Sequence, residues 1–324
     1  MIRYIYTFIV LCLFLVSCNE DFQVTEEWKD VPVVYGFIDR TDQAHYIRVE
    51  KLFVDENKSA VEIAQIADSL YYANAVVSLY SYRLKTDFQL TRVDGNAEGF
   101  QRNPGPFATA PNYLYKIESS KIPLLGGDTV QFRLDRSDNK PLVTSTIVLV
   151  KDIAFTAPSR DTREITFKPE VSQTVAWTLV PGAHIYSFEV NVDVLETNKV
   201  TGESKIVTIP WVFLRKSLKN SVVVQGIEFY RLLKENLSID PSIQREISNL
   251  RFTVKIGGVE IYDFDSVINA NTGITASQEI PRYTNISEGF GLFSSIFTHH
   301  RNFGITPETK ALLRITPETQ ALNF

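Results

Sequence analysis

Between residues 31 and 150 the sequence repeats one pattern, in which short runs of alternating apolar and polar residues end at turn-forming residues. Such runs are typical of β-strands that bury one face. In the second run we expect Ile47, Val49 and Phe53 to form the buried side. The pattern predicts a two-sheet sandwich with strands at residues 31–38, 45–53, 75–82, 87–93, 113–118, 129–134 and 143–150.

The side chains available for a core also favour strands. The chain has 21 Phe and 14 Tyr but a single Met, which is the initiator. Aromatic and β-branched residues are enriched in sheets. With 324 residues, of which 44% are hydrophobic, the chain is long enough for two domains. We therefore expect a mainly β protein of two β-sandwich modules with one or two short helices, the first an immunoglobulin-like sandwich over residues 31–150.

A polar run around residues 151–163, with Pro158, predicts the boundary to the second module. Residues 175–192 resemble the start of a fibronectin type III module, with a core Trp177, a Pro181-Gly182 turn and alternating apolar residues after it. A fibronectin-like module is therefore expected over residues 151–303. Its further strands are predicted at residues 192–196, 206–214, 249–256 and 259–263.

Helical spacing interrupts the strands at residues 59–70, where Ser59 is placed to cap, and at residues 227–237. The tail contains a near repeat, residues 305–314 followed by residues 315–324. Each copy has Thr, Pro and Glu in the order of a helix start, with Thr306 or Thr316 as the cap. We expect a duplicated short helical tail over residues 304–324.

The first seventeen residues have the features of a secretory signal peptide. Arg3 precedes an apolar run over residues 5–15, which is too short to span a bilayer, and small residues follow. Residues 15–18, Leu-Val-Ser-Cys, resemble the lipobox of bacterial lipoproteins. The alternative is a plain secretory peptide followed by a chance cysteine.

The lipobox resemblance implies that residues 1–17 are removed and that Cys18 becomes an acylated N-terminus. The acyl chains would anchor the protein to a membrane, with residues 18–30 as anchor and tether. Cys12 leaves with the signal peptide, so the mature chain would have no free thiol. Disulfides, cysteine-ligated metals and cysteine nucleophiles are then excluded.

Further motifs resemble those of lipoproteins of Bacteroidota. The acidic cluster at residues 19–21 resembles their surface-export signal. The ending Asn285-Ile-x-x-Gly-x-Gly-x-Phe293, with residues 33–38 and Phe229-Tyr230, resembles a family of surface lipoproteins carrying a domain of unknown function. The resemblance implies a β-rich, two-part lipoprotein of the outer membrane, exposed at the cell surface and often met near transporter systems. It supplies no catalytic residues.

Charge and motifs exclude several function classes. The formal net charge is −5 and becomes −6 without Arg3, so the dense basic face that nucleic-acid binding requires is missing. The sequence lacks His-Glu-x-x-His, Gly-x-Ser-x-Gly and a phosphate-binding loop. His299 and His300 are adjacent, so their side chains should diverge at the surface. Neither His45 nor His184 has a visible partner.

Two groups of carboxylates have residue types that could form a catalytic or a calcium site. Asp263 and Asp265 would face the same side of a strand, as a hydrolase or a calcium site requires. Asp135, Asp138 and Asn139 resemble a loose calcium loop, without the full spacing of a known one. We interpret both groups as solvated carboxylates, and we predict no catalytic residue, metal or cofactor.

Three triplets resemble the O-glycosylation signal of exported Bacteroidota proteins. Each has Asp, then Ser or Thr, then an aliphatic residue, and they begin at Asp68, Asp128 and Asp265. The resemblance implies modification of Ser69, Thr129 and Ser266.

Together these features predict a non-enzymatic, surface-exposed outer-membrane lipoprotein, acting as a binding or accessory subunit of a transport or assembly complex. The expected partner is an outer-membrane β-barrel transporter or a secretion component, contacted through the loop at residues 96–112. One alternative is a surface glycan-processing enzyme, which needs two carboxylates in an open cleft lined with Trp or Tyr. Another is a glycan-binding module, which would have the aromatic platform alone.

Overall fold

The computed structural model describes residues 30–52, 60–270 and 282–324. Over these residues the protein is mainly β, with sandwich-like sheets and few short helices, which confirms the predicted class. The strands are β1 (Val31–Asp39), β2 (Ala44–Leu52), β3 (Val76–Ser81), β4 (Thr86–Gln89), β5 (Thr91–Asp94), β6 (Tyr113–Glu118), β7 (Thr129–Asp135), β8 (Val143–Val148), β9 (Phe155–Ala157), β10 (Glu164–Ile165), β11 (Ser172–Trp177), β12 (Ile185–Asn198), β13 (Ser204–Ser217), β14 (Ser221–Gln225), β15 (Ile243–Gly257) and β16 (Phe290–Ile305).

The helices are short. The α-helices of the described residues are α1 (Ala60–Ala64), α2 (Gly226–Asn236), α3 (Val259–Ala270) and α4 (Pro307–Ile315). Single 3₁₀ turns follow at Ala67–Leu70, Ser119–Lys121 and Gln320–Leu322. Helix α2 lies where the sequence predicts it. The single helix predicted over residues 59–70 is divided into α1 and the 3₁₀ turn at Ala67–Leu70, and Ser59 is outside the described residues. None of the helices in the described ranges is long and apolar enough to cross a membrane.

Two hydrophobic cores lie against one long sheet of nine strands. Eight of them run in the order β13-β12-β15-β16-β1-β2-β6-β5, and the ninth, β10, pairs with β16. A four-stranded sheet, β4-β3-β7-β8, closes the first core over the β1–β2–β6 part. A three-stranded sheet, β14-β11-β9, closes the second core together with α2. In the first core Ile47 and Val49 are buried as predicted, whereas Phe53 lies outside the described residues. In the second core Trp177 is buried, as is Tyr230 of α2.

Strand β16 belongs to both sandwiches. Its first half pairs in parallel with β1, from Phe290 to Ile296, and its second half pairs antiparallel with β15, from Ile296 to Phe303. Phe293 is therefore part of the first core, although it follows β15 of the second sandwich in sequence, and Phe303 is part of the second core. The nine-stranded sheet is continuous through both modules, and the first core includes residues beyond 150.

The Asn-Ile-x-x-Gly-x-Gly-x-Phe ending fixes the start of β16. The Asn285 side chain donates to the Phe293 carbonyl at 2.6 Å and accepts from the Phe293 N–H at 3.0 Å. A Cβ at Gly291, where φ is +119°, would lie 1.9 Å from the Val34 carbonyl oxygen. Only glycine permits this approach to β1, so the motif is a strand-pairing device.

Two local predictions are wrong. Residues 259–263 begin helix α3 and are not a strand. Gly257 and Gly258 end β15, and five alternating residues do not distinguish a strand from the first turns of a helix. The run at residues 87–93 is divided at Leu90, so that β4 and β5 belong to different sheets.

The duplicated tail does not form two equivalent helices. In the first copy Thr306 caps α4, its hydroxyl oxygen accepting from the Thr309 N–H at 3.4 Å, and Pro307 lies in the first turn. In the second copy Thr316 ends α4, and its hydroxyl donates to the Leu312 carbonyl at 2.7 Å. The remaining residues form one 3₁₀ turn because the chain then lies against β15, where the Arg245 N–H donates to Asn323.

Candidate functional site

Four aromatic side chains are exposed on the outer side of the first sandwich, two on strand β1 and two on the loop between β5 and β6. They are Tyr35 (43% exposed), Phe37 (41%), Phe100 (47%) and Phe107 (46%), which we call the aromatic surface. The first two lie on β1, where Val34, Gly36 and Ile38 face the core. Because side chains alternate along a strand, Tyr35 and Phe37 must face outward. The other two lie on the loop between β5 and β6.

Strand β2 links the two pairs of rings. Tyr35 pairs with Arg48 across the β1–β2 ladder. The Phe100 ring packs on Tyr46 of the same strand, with ring centroids 4.6 Å apart. On the loop the Arg102 guanidinium lies 5.4 Å from the centroid of the Phe107 ring. The strand and the loop therefore form one surface.

A polar network holds the loop on the sheet. Asn112 is fully buried, and its side chain accepts from Arg48 at 2.7 Å and donates to the Phe100 carbonyl at 2.6 Å. Glu50 forms ion pairs with Arg102 and, at 2.9 Å, with Arg48. Further along the loop the Ala108 N–H donates to Ala64 of α1 at 2.8 Å. The loop predicted to make contacts is thus fastened to the fold at several points.

The charges beside the aromatic surface are paired with one another. Glu98 accepts from Lys116 and from the Tyr46 hydroxyl, each at 2.8 Å. These hydrogen bonds hold the pKa of Glu98 below its usual value, while burial and the bond to Glu98 raise the pKa of Tyr46. Glu98 therefore stays ionised and is unsuited to act as a general acid. The arrangement favours contact over proton transfer.

One carboxylate has a raised pKa. Asp42 lines a cavity of about 430 Å³ with Thr41 and residues 297–300, and burial together with the neighbouring Asp39 raises its pKa. Asp39 itself accepts hydrogen bonds from Thr41 and, at 2.7 Å, from Thr298. Phe297 lines this cavity, but neither Trp nor Tyr does, whereas the glycan-processing alternative requires one of those two residue types.

The carboxylates singled out in the sequence do not converge. Asp263 and Asp265 lie on helix α3, where residues two apart are about 200° apart around the axis, so the expectation that they share a strand face is wrong. Asp265 forms an ion pair with Lys216, and Asp138 pairs with Arg136 and Lys140, each at 3.6 Å. Within the described residues no three His, Cys, Asp or Glu side chains are grouped to hold a metal ion.

The histidines make separate contacts. His299 packs on Phe155 with ring centroids 5.5 Å apart, and His184 lies 6.1 Å from Tyr262. His45 is 2% exposed; its Nε2 is 3.3 Å from the Ser119 hydroxyl and its Nδ1 has no hydrogen-bond partner. The alternation in β2 places His45 on the same side as Ile47 and Val49, so its burial could have been predicted from the sequence.

The residues expected to be modified have different surroundings. Ser69 donates from its hydroxyl to the carbonyls of Ile63 and Ile66, at 2.7 and 2.6 Å. Thr129 is half-buried at the start of β7, and Ser266 is exposed on α3. Modification of these three residues stays a prediction. The lipidation expected at Cys18 lies outside the described residues.

The aromatic surface is absent from the predictions made from the sequence, although part of it was predictable. The alternation in β1 already places Tyr35 and Phe37 opposite Val34 and Ile38. The position of Phe100 and Phe107 depends on the buried Asn112 and on Glu50, which are distant in sequence from one another. No local signal reveals that contact.

The comparisons with known proteins are sparse. No protein-family model matches the chain, and no curated protein matches it. Among solved structures the chain is similar to the FN1–FN3 domains of chicken CNTN1, at 9% sequence identity and a TM-score of 0.22. The match covers 70% of this chain, which spans 60% of that structure's chain.

Proposed function

We propose that this protein is a non-enzymatic lipoprotein, anchored through Cys18 and exposed at the cell surface, that serves as a binding or accessory subunit of an outer-membrane transport or assembly complex. The single observation that carries the proposal is the aromatic surface, with two exposed rings on strand β1 and two on a loop that a buried polar network holds on the sheet. Its partner is a β-barrel transporter or a secretion component.

The chemistry of the aromatic surface suits a protein partner. Aromatic residues and arginine are enriched where proteins meet, and they dominate the binding energy when they lie on a rigid frame. The frame here is the continuous nine-stranded sheet. Because Glu50 is already paired with Arg48 and Arg102, a partner can cover this surface without burying an unpaired charge.

The anchor limits where the partner lies. Val31 begins the first strand and follows Cys18 by thirteen positions. A fully extended chain of that length spans at most about 45 Å. An acylated Cys18 therefore keeps the aromatic surface near the membrane, within reach of the extracellular loops of a barrel.

A pull-down from the native outer membrane in mild detergent tests the proposal, with wild type compared with a Tyr35→Ala, Phe37→Ala double variant. We expect a β-barrel transport or secretion component in stoichiometric amount with the wild type and at least a tenfold lower recovery with the variant. A matched control is Leu179→Ala with Leu218→Ala, because these side chains are exposed elsewhere, 69% and 65%. Recovery of the wild-type lipoprotein alone would refute the proposal and favour a free-standing glycan-processing or glycan-binding protein.

A further inference from the structure

The outer face of the four-stranded sheet differs in chemistry from the aromatic surface. The inner side chains of its strands, including Leu79 and Phe132, fill the first core, so the alternate residues face solvent. The ladder registers arrange these residues in rows across the strands. We call them the polar sheet face: Gln89, Ser78, Arg133 and Thr144 in one row, Asp87, Tyr80, Gln131 and Thr146 in the next, and Tyr82, Thr129 and Val148 at the end. Tyr82 follows the last residue of β3, and its N–H donates to the Thr129 carbonyl at 3.1 Å.

The central side chains of this face hold one another in position. The Arg133 guanidinium lies over the Tyr80 ring, 4.0 Å from its centroid. It donates from Nη1 to both Asp87 oxygens, at 3.1 and 3.0 Å, and from Nε to the Gln131 side-chain oxygen at 2.8 Å. Gln131 in turn donates to the Thr146 hydroxyl at 3.1 Å. A ligand would find these groups already ordered, which lowers the entropy cost of binding.

The charges of the polar sheet face and its border disfavour an anionic ligand. Arg133 and Asp87 form an ion pair with each other. Asp135 is exposed on the same side of β7, in the adjoining row opposite Val76, and adds one negative charge. An anionic ligand would be repelled here and would lose hydration, so these charges favour a neutral ligand over an anionic one.

Hydrogen-bonding capacity remains on this face after the internal bonds are made. Arg133 Nη2 makes no hydrogen bond within the described part of the chain, which leaves two N–H donors. The Thr146 hydroxyl accepts from Gln131 and keeps its own proton to donate. Gln89 is exposed. These donors and acceptors lie in adjacent rows of the sheet, an arrangement that suits hydrogen bonds to neighbouring hydroxyls of one sugar.

Aromatic rings supply the remaining component of such a site. Tyr82 is 47% exposed, and its ring lies 5.1 Å from that of Tyr80. An exposed ring can pack against the C–H face of a pyranose while the polar groups bind its edge. The face spans four strands, about 14 Å across, and is flat. A flat surface suits internal sugars along a polysaccharide better than the sugar at its end.

We propose that the polar sheet face binds a neutral polysaccharide, with Tyr82 packed against a sugar ring and Arg133, Gln131 and Thr146 bound to its hydroxyls. This inference stands apart from the proposed function, since its residues lie on the opposite sheet of the first sandwich. The protein would then contact a glycan and a protein partner on different sides.

Native affinity electrophoresis of the full chain in non-ionic detergent tests the inference. The probes are soluble neutral polysaccharides (dextran, laminarin, galactomannan and arabinoxylan), with alginate and polygalacturonate as charged controls. We expect at least one neutral polysaccharide to retard the wild type. Tyr82→Ala and Gln131→Ala should each weaken this retardation at least tenfold, whereas Leu179→Ala, at an exposed residue of the second sandwich, should leave it unchanged.

Two outcomes would overturn the inference. One is that no neutral polysaccharide retards the wild type. The other is that Tyr82→Ala, with its thermal midpoint confirmed by circular dichroism to match the wild type, is retarded as strongly as the wild type. The pull-down measures the recovery of a protein partner and its dependence on Tyr35 and Phe37, whereas the electrophoresis measures polysaccharide binding. Each proposal can therefore fail while the other stands.

Discussion

At the scale of single residues, His45 is the polar side chain with the clearest energetic consequence. It is 2% exposed within the first sandwich, and its Nδ1 lacks a partner. Burial lowers its pKa below the unfolded value of 6.5, while the nearby Asp39 opposes the shift in part. The folded protein therefore keeps this imidazole neutral under conditions in which the unfolded chain would protonate it.

We predict that His45 makes the protein less stable in mild acid. Between the unfolded pKa near 6.5 and the lower folded pKa, the unfolded state binds more protons than the folded state. The contribution of neutral His45 to the free energy of unfolding is therefore complete above pH 6.5 and is lost as the pH falls through that window. His45→Gln should remove this part of the pH dependence. Urea unfolding at pH 7.5 and 5.0 measures it. An equal loss of unfolding free energy in wild type and variant would contradict the prediction, because His299 and all carboxylates are common to both.

At the scale of elements, local pattern and tertiary context disagree at a few places. The strand predictions succeed where one face packs on a core, as in β2 and β6. They fail at residues 259–263, where two glycines end β15 and the next residues form α3. The tail makes the same point, because two nearly identical sequences form α4 in one copy and a single 3₁₀ turn in the other. Packing of the second copy against β15 accounts for the difference between the two conformations.

The parallel pairing of β16 with β1 depends on Gly291. An alanine Cβ there would lie 1.9 Å from the Val34 carbonyl oxygen, at a φ of +119°. We predict that Gly291→Ala lowers the free energy of unfolding by about 3 kcal/mol or more. Gly182→Ala is the matched control, because its φ is +85° but nothing lies within 4 Å of the added carbon; it should cost about 1 kcal/mol. Equal losses for the two variants in urea unfolding would show that backbone conformation, and not the contact with β1, makes glycine necessary.

At the scale of the whole molecule, one strand ties the two sandwiches together. At the middle of β16, Ser295 is fully buried; its hydroxyl accepts from the Val150 N–H at 3.0 Å and donates to the Ile38 carbonyl at 3.4 Å. Nearby, Asp39 of β1 accepts from Thr298 of β16. The two sandwiches are therefore connected by a shared sheet and by these hydrogen bonds.

We therefore predict that the two sandwiches unfold together. Removing β16 would take Phe293 from the first core and Phe303 from the second, so neither core is complete without it. Differential scanning calorimetry of the full chain should give a single transition, with equal calorimetric and van't Hoff enthalpies. Two resolved transitions would show instead that the modules are thermodynamically independent.

The sequence by itself determined the class of fold, most strands and the inward faces of β1 and β2, because a strand's alternation is written in adjacent residues. It also determined that Tyr35 and Phe37 face outward. Only the tertiary structure decided which sheet each strand joins, that β16 serves both cores, and that the loop carrying Phe100 and Phe107 is fastened by Asn112 and Glu50. The polar sheet face likewise arises from β3, β4, β7 and β8 together. These features depend on contacts between residues far apart in sequence, whose pairing is set by packing and register and leaves no local periodic signal.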